Sequence, residues 1–155
     1  METDIIEKYN ALAKDYNLPD YDSLDFEFEI YSLEDAKYLL RAILEKMAQK
    51  IYDAVKILED ALYPDASSYS SIYETRMMCE ADKDNILHLH KEMMILFRKS
   101  LCIAIDHEDQ EIAKFICEGF GKWQRLKQGF KEIADKLKQA WESETFKDES
   151  IKYMG

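Results

Sequence analysis

Two pairs of acidic residues, spaced as metal ligands on a helix would be, are the strongest candidates for chemistry in this sequence. Glu108 and Glu111 form one pair, and Glu132 and Asp135 form the other. Residues three apart share one face of a helix, so both carboxylates of a pair can reach one ion. Carboxylate oxygens are also the ligands that Mg²⁺ prefers. Four basic residues that could hold phosphates lie between the pairs: Lys122, Arg125, Lys127 and Lys131.

This arrangement resembles the Glu-x-x-Glu and Glu-x-x-Asp motifs of the all-α nucleoside triphosphate pyrophosphohydrolases. The stretch 131–135 is the most similar part, and His107 stands where the first motif often has a further Glu. The resemblance covers residues 108–135. It implies an Mg²⁺-dependent enzyme whose metal lies between two neighbouring helices, held by Glu108, Glu111, Glu132 and Asp135. The alternative is a solvated acidic surface, because acids fill 32 of the 155 positions and such pairs arise by chance.

The histidines do not form a recognisable metal or catalytic set. His88, His90 and Glu92 are spaced two apart, which places successive side chains about 200° apart around a helix. His90 lies on an apolar stripe, and we expect it to be a hydrogen-bonded core residue. The sequence also lacks a Gly-rich phosphate loop and a nucleophile elbow. Outside the magnesium alternative, we therefore expect no cofactor and no catalytic residue.

Charge is distributed unevenly along the chain. The first 35 residues contain eleven acids and two bases, whereas residues 121–140 contain six bases and two acids. Opposite ends of this kind attract each other, within one molecule or between two. We expect the acidic N-terminal region to pack against the basic last helix, so that mostly negative charge remains for a partner.

Composition favours a single all-α domain over residues 1–155. Four Gly and two Pro are few for a protein rich in turns, and 155 residues suit one core. The net charge of −11 opposes direct binding to DNA or RNA, which depends on Lys and Arg. No stretch has the roughly 18 apolar residues of a membrane span, and no signal peptide is evident. We expect a cytoplasmic protein, with Cys79, Cys102 and Cys117 as buried reduced thiols.

Hydrophobic periodicity predicts a bundle of about four to five helices. The first helix ends at Asn17-Leu18-Pro19. The second begins after a Ser32 cap and continues to residue 63, which gives about 30 residues and a length of roughly 45 Å. A Ser-rich linker follows, and a helix then begins near residue 82. A corner at residues 106–109 separates that helix from a stretch that Gly119 and Gly121 weaken.

Residues 18–31 are predicted to be extended. Phe26, Phe28 and Ile30 alternate with Glu27 and Glu29, which is the period of a strand. No second run of this kind is present to pair with it. We therefore expect an extended segment whose aromatic side packs against the bundle, and pairing with another protein's sheet edge remains open.

The last helix has heptad spacing. Its apolar stripe contains Trp123, Leu126, Phe130, Ile133, Leu137 and Ala140 with Trp141. Such spacing predicts packing at a shallow angle, either within the bundle or as the seam of a dimer. Residues 142–155 are expected to be a frayed tail.

We interpret the sequence as a non-enzymatic bundle that binds another protein, as an adaptor, regulator or assembly subunit. Nine of the ten Tyr lie in the first 73 residues, the region with most of the negative charge. Aromatic residues are frequent anchors of interfaces. The candidate interaction residues are Phe26, Phe28, Trp123 and Trp141. A second copy of the chain is an alternative partner, and an acidic mimic of nucleic acid that inhibits a basic protein is an alternative function.

Overall fold

Three long helices dominate the structure. The computed structural model describes residues 2–143, with side chains from residue 4 onward. This part of the chain contains no strand, so the prediction of an all-α fold is confirmed. It has six α-helices, slightly more than the four or five expected, and one 3₁₀ turn at Ile30–Leu33. The α-helices are α1 (Glu2–Tyr16), α2 (Tyr21–Phe28), α3 (Leu39–Leu62), α4 (Tyr69–Met77), α5 (Glu80–Asp106) and α6 (Asp109–Glu142). Most of the predicted tail, residues 144–155, lies outside the described residues.

Helices α3, α5 and α6 form the core because each has an apolar stripe at helical spacing. Ile43, Met47 and Ile51 of α3 are completely buried, as are Ile86 of α5 and Ile116 of α6. Helix α1 joins this core through Ile5 and Tyr9. The Tyr9 hydroxyl donates a hydrogen bond of 2.5 Å to the carbonyl of Pro19, which fixes the turn between α1 and α2.

The predicted extended segment at residues 18–31 is wrong, because residues 21–28 form helix α2. Asp20 caps it and accepts hydrogen bonds from the backbone N–H and the hydroxyl of Ser23, at 2.9 and 2.8 Å. The helix ends at Glu29, whose φ of 54° lies in the left-handed region. The alternation of Phe and Glu does not produce a strand, because its buried members are Glu27 and Phe28, whereas Phe26 is 79% exposed.

Helix α3 is shorter than predicted, with 24 residues instead of about 30. Ser32 does not cap it. The Ser32 hydroxyl instead donates back to the carbonyl of Glu29 at 2.9 Å, within the 3₁₀ turn. Tyr38, at the true N-terminus, provides no side-chain cap.

Helix α6 is continuous over 34 residues, so the predicted interruption near Gly119 and Gly121 is wrong. A Gly inside a helix costs about 1 kcal/mol relative to Ala, which tertiary packing can offset. Gly119 is buried against Met47 of α3. The predicted corner before α6 is confirmed, because His107 ends α5 with a φ of 55°.

Two predictions about single side chains are corrected. Cys79 and Cys102 are exposed and Cys117 is half-buried; all three thiols are free, but they are not core residues. His90 has a largely buried side chain, yet its Nε2 has no hydrogen-bond partner among the described residues and lies 3.6 Å from a Glu59 oxygen. Of the apolar stripe on which His90 lies, Ile86 and Met93 are completely buried.

None of the helices in residues 2–143 combines the length and the apolar composition that crossing a membrane requires.

Candidate functional site

The four predicted magnesium ligands do not converge. Glu108 and Glu111 lie at the start of α6, whereas Glu132 and Asp135 lie near its other end. At 1.5 Å per residue the two pairs are about 36 Å apart along one helix, not on facing helices. Within the described part of the chain, no three metal-binding side chains cluster. Asp135 pairs with Lys138 at 3.5 Å on the surface, as a solvated acid would.

Three of the four predicted interaction residues do come together. Phe28 and Trp123 pack in the core with ring centroids 5.9 Å apart. Phe26 lies on the neighbouring surface of α2. Trp141 is elsewhere, at the end of α6, where it packs on Tyr73 with centroids 4.4 Å apart.

Phe26 borders a surface depression that we call the apolar groove. It has a volume of about 560 Å³ and lies between α2, α3 and α6. Phe26 is 79% exposed and Ile57 is 45% exposed, so both offer apolar surface to a ligand. The residues that line it are Phe26, Glu27, Lys50, Asp53, Ala54, Ile57, Trp123, Lys127, Phe130 and Lys131.

Glu27 is buried beneath the groove and fully hydrogen-bonded. It accepts hydrogen bonds from the indole Nε1 of Trp123 at 2.9 Å and from the Lys127 ammonium at 2.7 Å. Burial raises the pKa of Glu27, but these two hydrogen bonds and the charges of Lys127 and Lys50 outweigh it and leave the pKa below its usual value. Glu27 is therefore ionised at neutral pH.

Lysines also lie against aromatic rings in the groove and beneath it. Lys50 donates a hydrogen bond to the backbone carbonyl of Glu27, and its Nζ lies 5.5 Å from the Phe28 ring centroid and 5.6 Å from that of Trp123. Lys127 lies 5.4 Å from the centroid of Phe26. Cation–π attraction of this kind favours these positions of the rings and the ammonium groups.

Lys131 differs from the other two groove lysines. It is exposed and makes no ion pair within the described part of the chain. On the opposite wall, Asp53 accepts a hydrogen bond from Gln49 at 2.9 Å. The groove thus provides apolar surface and an available ammonium group at one edge, which suits a ligand with an apolar body and a carboxylate.

The Glu27–Lys127 pair confirms, for this contact, the expected packing of the acidic N-terminal region on the basic last helix. Lys127 follows Trp123 by four residues, so both project from one face of α6. The sequence did not identify Glu27, Lys50 or Ile57 as site residues. Glu27 was not identified because the alternation around it suggested a strand with its acids exposed. Lys50 and Ile57 were not identified because they lie on a long helix with other lysines and isoleucines, and nothing in the pattern distinguishes them.

A larger cleft of about 730 Å³ lies between α1 and the start of α3. Its ionised side chains are of both signs: Asp4, Glu34, Asp35 and Asp109 against Lys8, Lys37 and Arg41. These charges largely cancel, although apolar side chains, among them Leu12, Leu39 and Leu40, also line the cleft. The apolar groove is the better defined site.

No known protein family, curated protein or solved structure matches this chain.

Proposed function

We propose that this protein is a non-enzymatic, cytoplasmic helical bundle that binds another protein through the apolar groove, as an adaptor, regulator or assembly subunit. The observation that carries the proposal is Phe26, a large aromatic side chain held almost fully exposed at the edge of an apolar depression. Exposed contiguous apolar surface next to polar residues is typical of binding sites.

The surroundings of Phe26 support an ordered binding surface. Phe28 and Glu27, its neighbours in α2, are buried and anchored on α6. The backbone that presents Phe26 is therefore fixed before a partner arrives, and a preorganised surface loses less conformational entropy on binding.

Two alternatives have less support. The magnesium enzyme requires its four carboxylates on facing helices, whereas all four lie along α6 and its N-cap. The nucleic-acid mimic requires a continuous acidic surface, whereas the best-defined groove has three lysines. Both alternatives make predictions that differ from ours, namely nucleotide hydrolysis with Mg²⁺ and salt-sensitive binding to basic proteins.

Photo-crosslinking tests the proposal. Benzoylphenylalanine replaces Phe26 in the full-length protein, and cells that produce it are irradiated before the adducts are identified. Tyr63 is the matched control position, because it is an aromatic residue that is 74% exposed but does not line the groove.

We expect a protein adduct at position 26 that is absent at position 63 and is competed by excess wild-type protein. Equal adducts at both positions, or none at position 26, would contradict the proposal. The substitution at position 26 should leave the fold unchanged, which circular dichroism can verify.

A further inference from the structure

The solvent side of α5 is a second apolar surface, separate from the groove. Leu87 is 51% exposed, Ile95 49% and Ile105 78%. The buried side of the same helix contains Ile86, Met93 and other core residues. A helix that is apolar around its circumference is typically covered on all sides. The uncovered side of α5 is therefore an unpartnered helix face.

The residues on this side of α5 follow heptad spacing; most of them are exposed, and Met94 is partly buried against the core. Leu87, Met94 and Leu101 recur every seven residues, and Lys91, Arg98 and Ile105 recur every seven residues beside them. These two rows together step by 4, 3, 4, 3 and 4, which is the pattern of a helix-pairing seam. We call the surface formed by these two rows and the neighbouring Ile95 the α5 face.

Charge on this seam indicates what can cover it. Lys91 and Arg98 are both exposed, and neither makes an ion pair within the described part of the chain. In parallel pairing with a second copy, Lys91 would face Lys91 and Arg98 would face Arg98. In antiparallel pairing centred on Met94 or Ile95, Lys91 would lie near Arg98. Both arrangements place like charges together. Asp84 is the acid at the N-terminal end of this seam. A second copy also brings another net charge of −11.

We propose that the α5 face binds an amphipathic helix of another protein, whose apolar stripe is accompanied by carboxylates opposite Lys91 and Arg98. Apolar contacts with Leu87, Met94 and Ile95 provide the binding energy, and the two cations select the acidic partner and set its register. This extends the proposed function. The α5 face shares no residue with the apolar groove, so the protein can bind two partners at once, as an adaptor does.

Fluorescence anisotropy with two labelled amphipathic peptides tests the inference. The peptides have the same leucines at heptad positions, and the positions beside the leucines are Glu in one peptide and Lys in the other. The protein's net negative charge favours the Lys peptide in any nonspecific association. We expect the wild-type protein to bind the Glu peptide about tenfold more tightly, because two opposite-charge contacts replace two repulsive ones.

Charge reversal locates the binding. The double variant Lys91→Glu with Arg98→Glu should reverse the preference between the peptides. The matched control, Lys14→Glu with Lys114→Glu, changes the net charge equally at exposed positions off the α5 face and should keep the wild-type preference. Leu87→Ser with Ile95→Ser should weaken binding of both peptides.

Several results would overturn the inference. One is a wild-type preference for the Lys peptide, or no binding of either peptide. Another is a wild-type dimer that Leu87→Ser with Ile95→Ser dissociates, which would identify a second copy as the occupant. Loss of Glu-peptide binding in Phe26→Ser would place the peptide in the groove, so the α5 inference would fail while the proposed function would stand.

Discussion

The indole Nε1 of Trp123 lies 2.9 Å from Glu27 Oε2 and donates a hydrogen bond to it, so a buried carboxylate of α2 is tied to the last helix. Lys127 completes the arrangement by pairing with the other carboxylate oxygen at 2.7 Å. Through these contacts a short helix of eight residues is fixed on the bundle and presents Phe26 at the groove. Loss of Glu27 should therefore affect both stability and binding.

We predict that Glu27→Gln lowers the free energy of unfolding by about 2 kcal/mol, because the half-buried ammonium of Lys127 loses its charged hydrogen-bond partner. Glu118→Gln is the matched control. It removes an ion pair of similar length, 2.8 Å between Glu118 and Lys99. The side chain of Glu118 is 42% exposed and that of Lys99 is 46% exposed. Exposed pairs contribute less than about 1 kcal/mol. Urea unfolding measures both variants, and equal losses would show that burial of Glu27 contributes nothing.

We also predict that the contribution of Glu27 disappears in acid. The pKa of Glu27 in the folded protein lies below its usual value of 4.5. Above 4.5 the residue is ionised in both the folded and the unfolded chain, so its stabilisation is fully present. As the pH falls through the folded-state pKa, the carboxylate is protonated in both states and the stabilisation is lost.

The measurement is the difference in unfolding free energy between the wild type and Glu27→Gln across pH. The difference should be constant from neutral pH down to about 5 and should shrink steadily below about 4.5. Both proteins contain the other acids, including Asp82 with its lowered pKa, so the titration of those acids cancels in the difference. A difference that stays constant at low pH would therefore contradict the claim that ionised Glu27 stabilises the fold.

The error at α2 shows where sequence patterns fail. Alternation of Phe26, Glu27, Phe28 and Glu29 suggests a strand, since a period of two usually separates a buried from an exposed side. Here a charged residue is buried because Trp123 and Lys127, about a hundred positions away, satisfy it. Local pattern cannot reveal such partners. The cap from Asp20 to Ser23, directly after Pro19, was the available signal for a helix.

The candidate site could be predicted only in part, because local sequence pattern does not reveal contacts between distant residues. Phe28 and Trp123 were predicted as interaction residues, but their contact with each other was not predicted; both pack in the core, as large aromatic residues on apolar stripes do. The exposed positions of Phe26 and Ile57 depend on how α2, α3 and α6 sit against one another, which the periodicity of each helix leaves undetermined. The four acidic residues failed as a set because the two glycines in α6 suggested a break that does not occur.

Two neighbouring phenylalanines provide a direct test of helix against strand in α2. We predict that Phe26→Ala changes the free energy of unfolding by less than about 0.5 kcal/mol, as exposed substitutions usually do. Phe28→Ala should cost about 3 to 5 kcal/mol, because Phe28 is 2% exposed and packs on Trp123. In an extended segment both side chains would share one face, so similar losses in thermal or urea unfolding would contradict the helix.

The two glycines of α6 should respond differently to alanine. A Cβ at position 121 would have no atom within 4 Å, so Gly121→Ala should stabilise the protein by about 0.5 to 1 kcal/mol through helix propensity. A Cβ at position 119 would lie 3.2 Å from the methyl carbon of Met47, which is completely buried, and 3.3 Å from the Phe115 ring. Overpacking at position 119 opposes the stabilisation that alanine's higher helix propensity provides.

We expect Gly119→Ala to be less stable than Gly121→Ala by about 1 kcal/mol or more in urea unfolding. Equal stabilisation would mean that α3 and α6 separate at no cost, and that the core does not depend on close approach at Gly119.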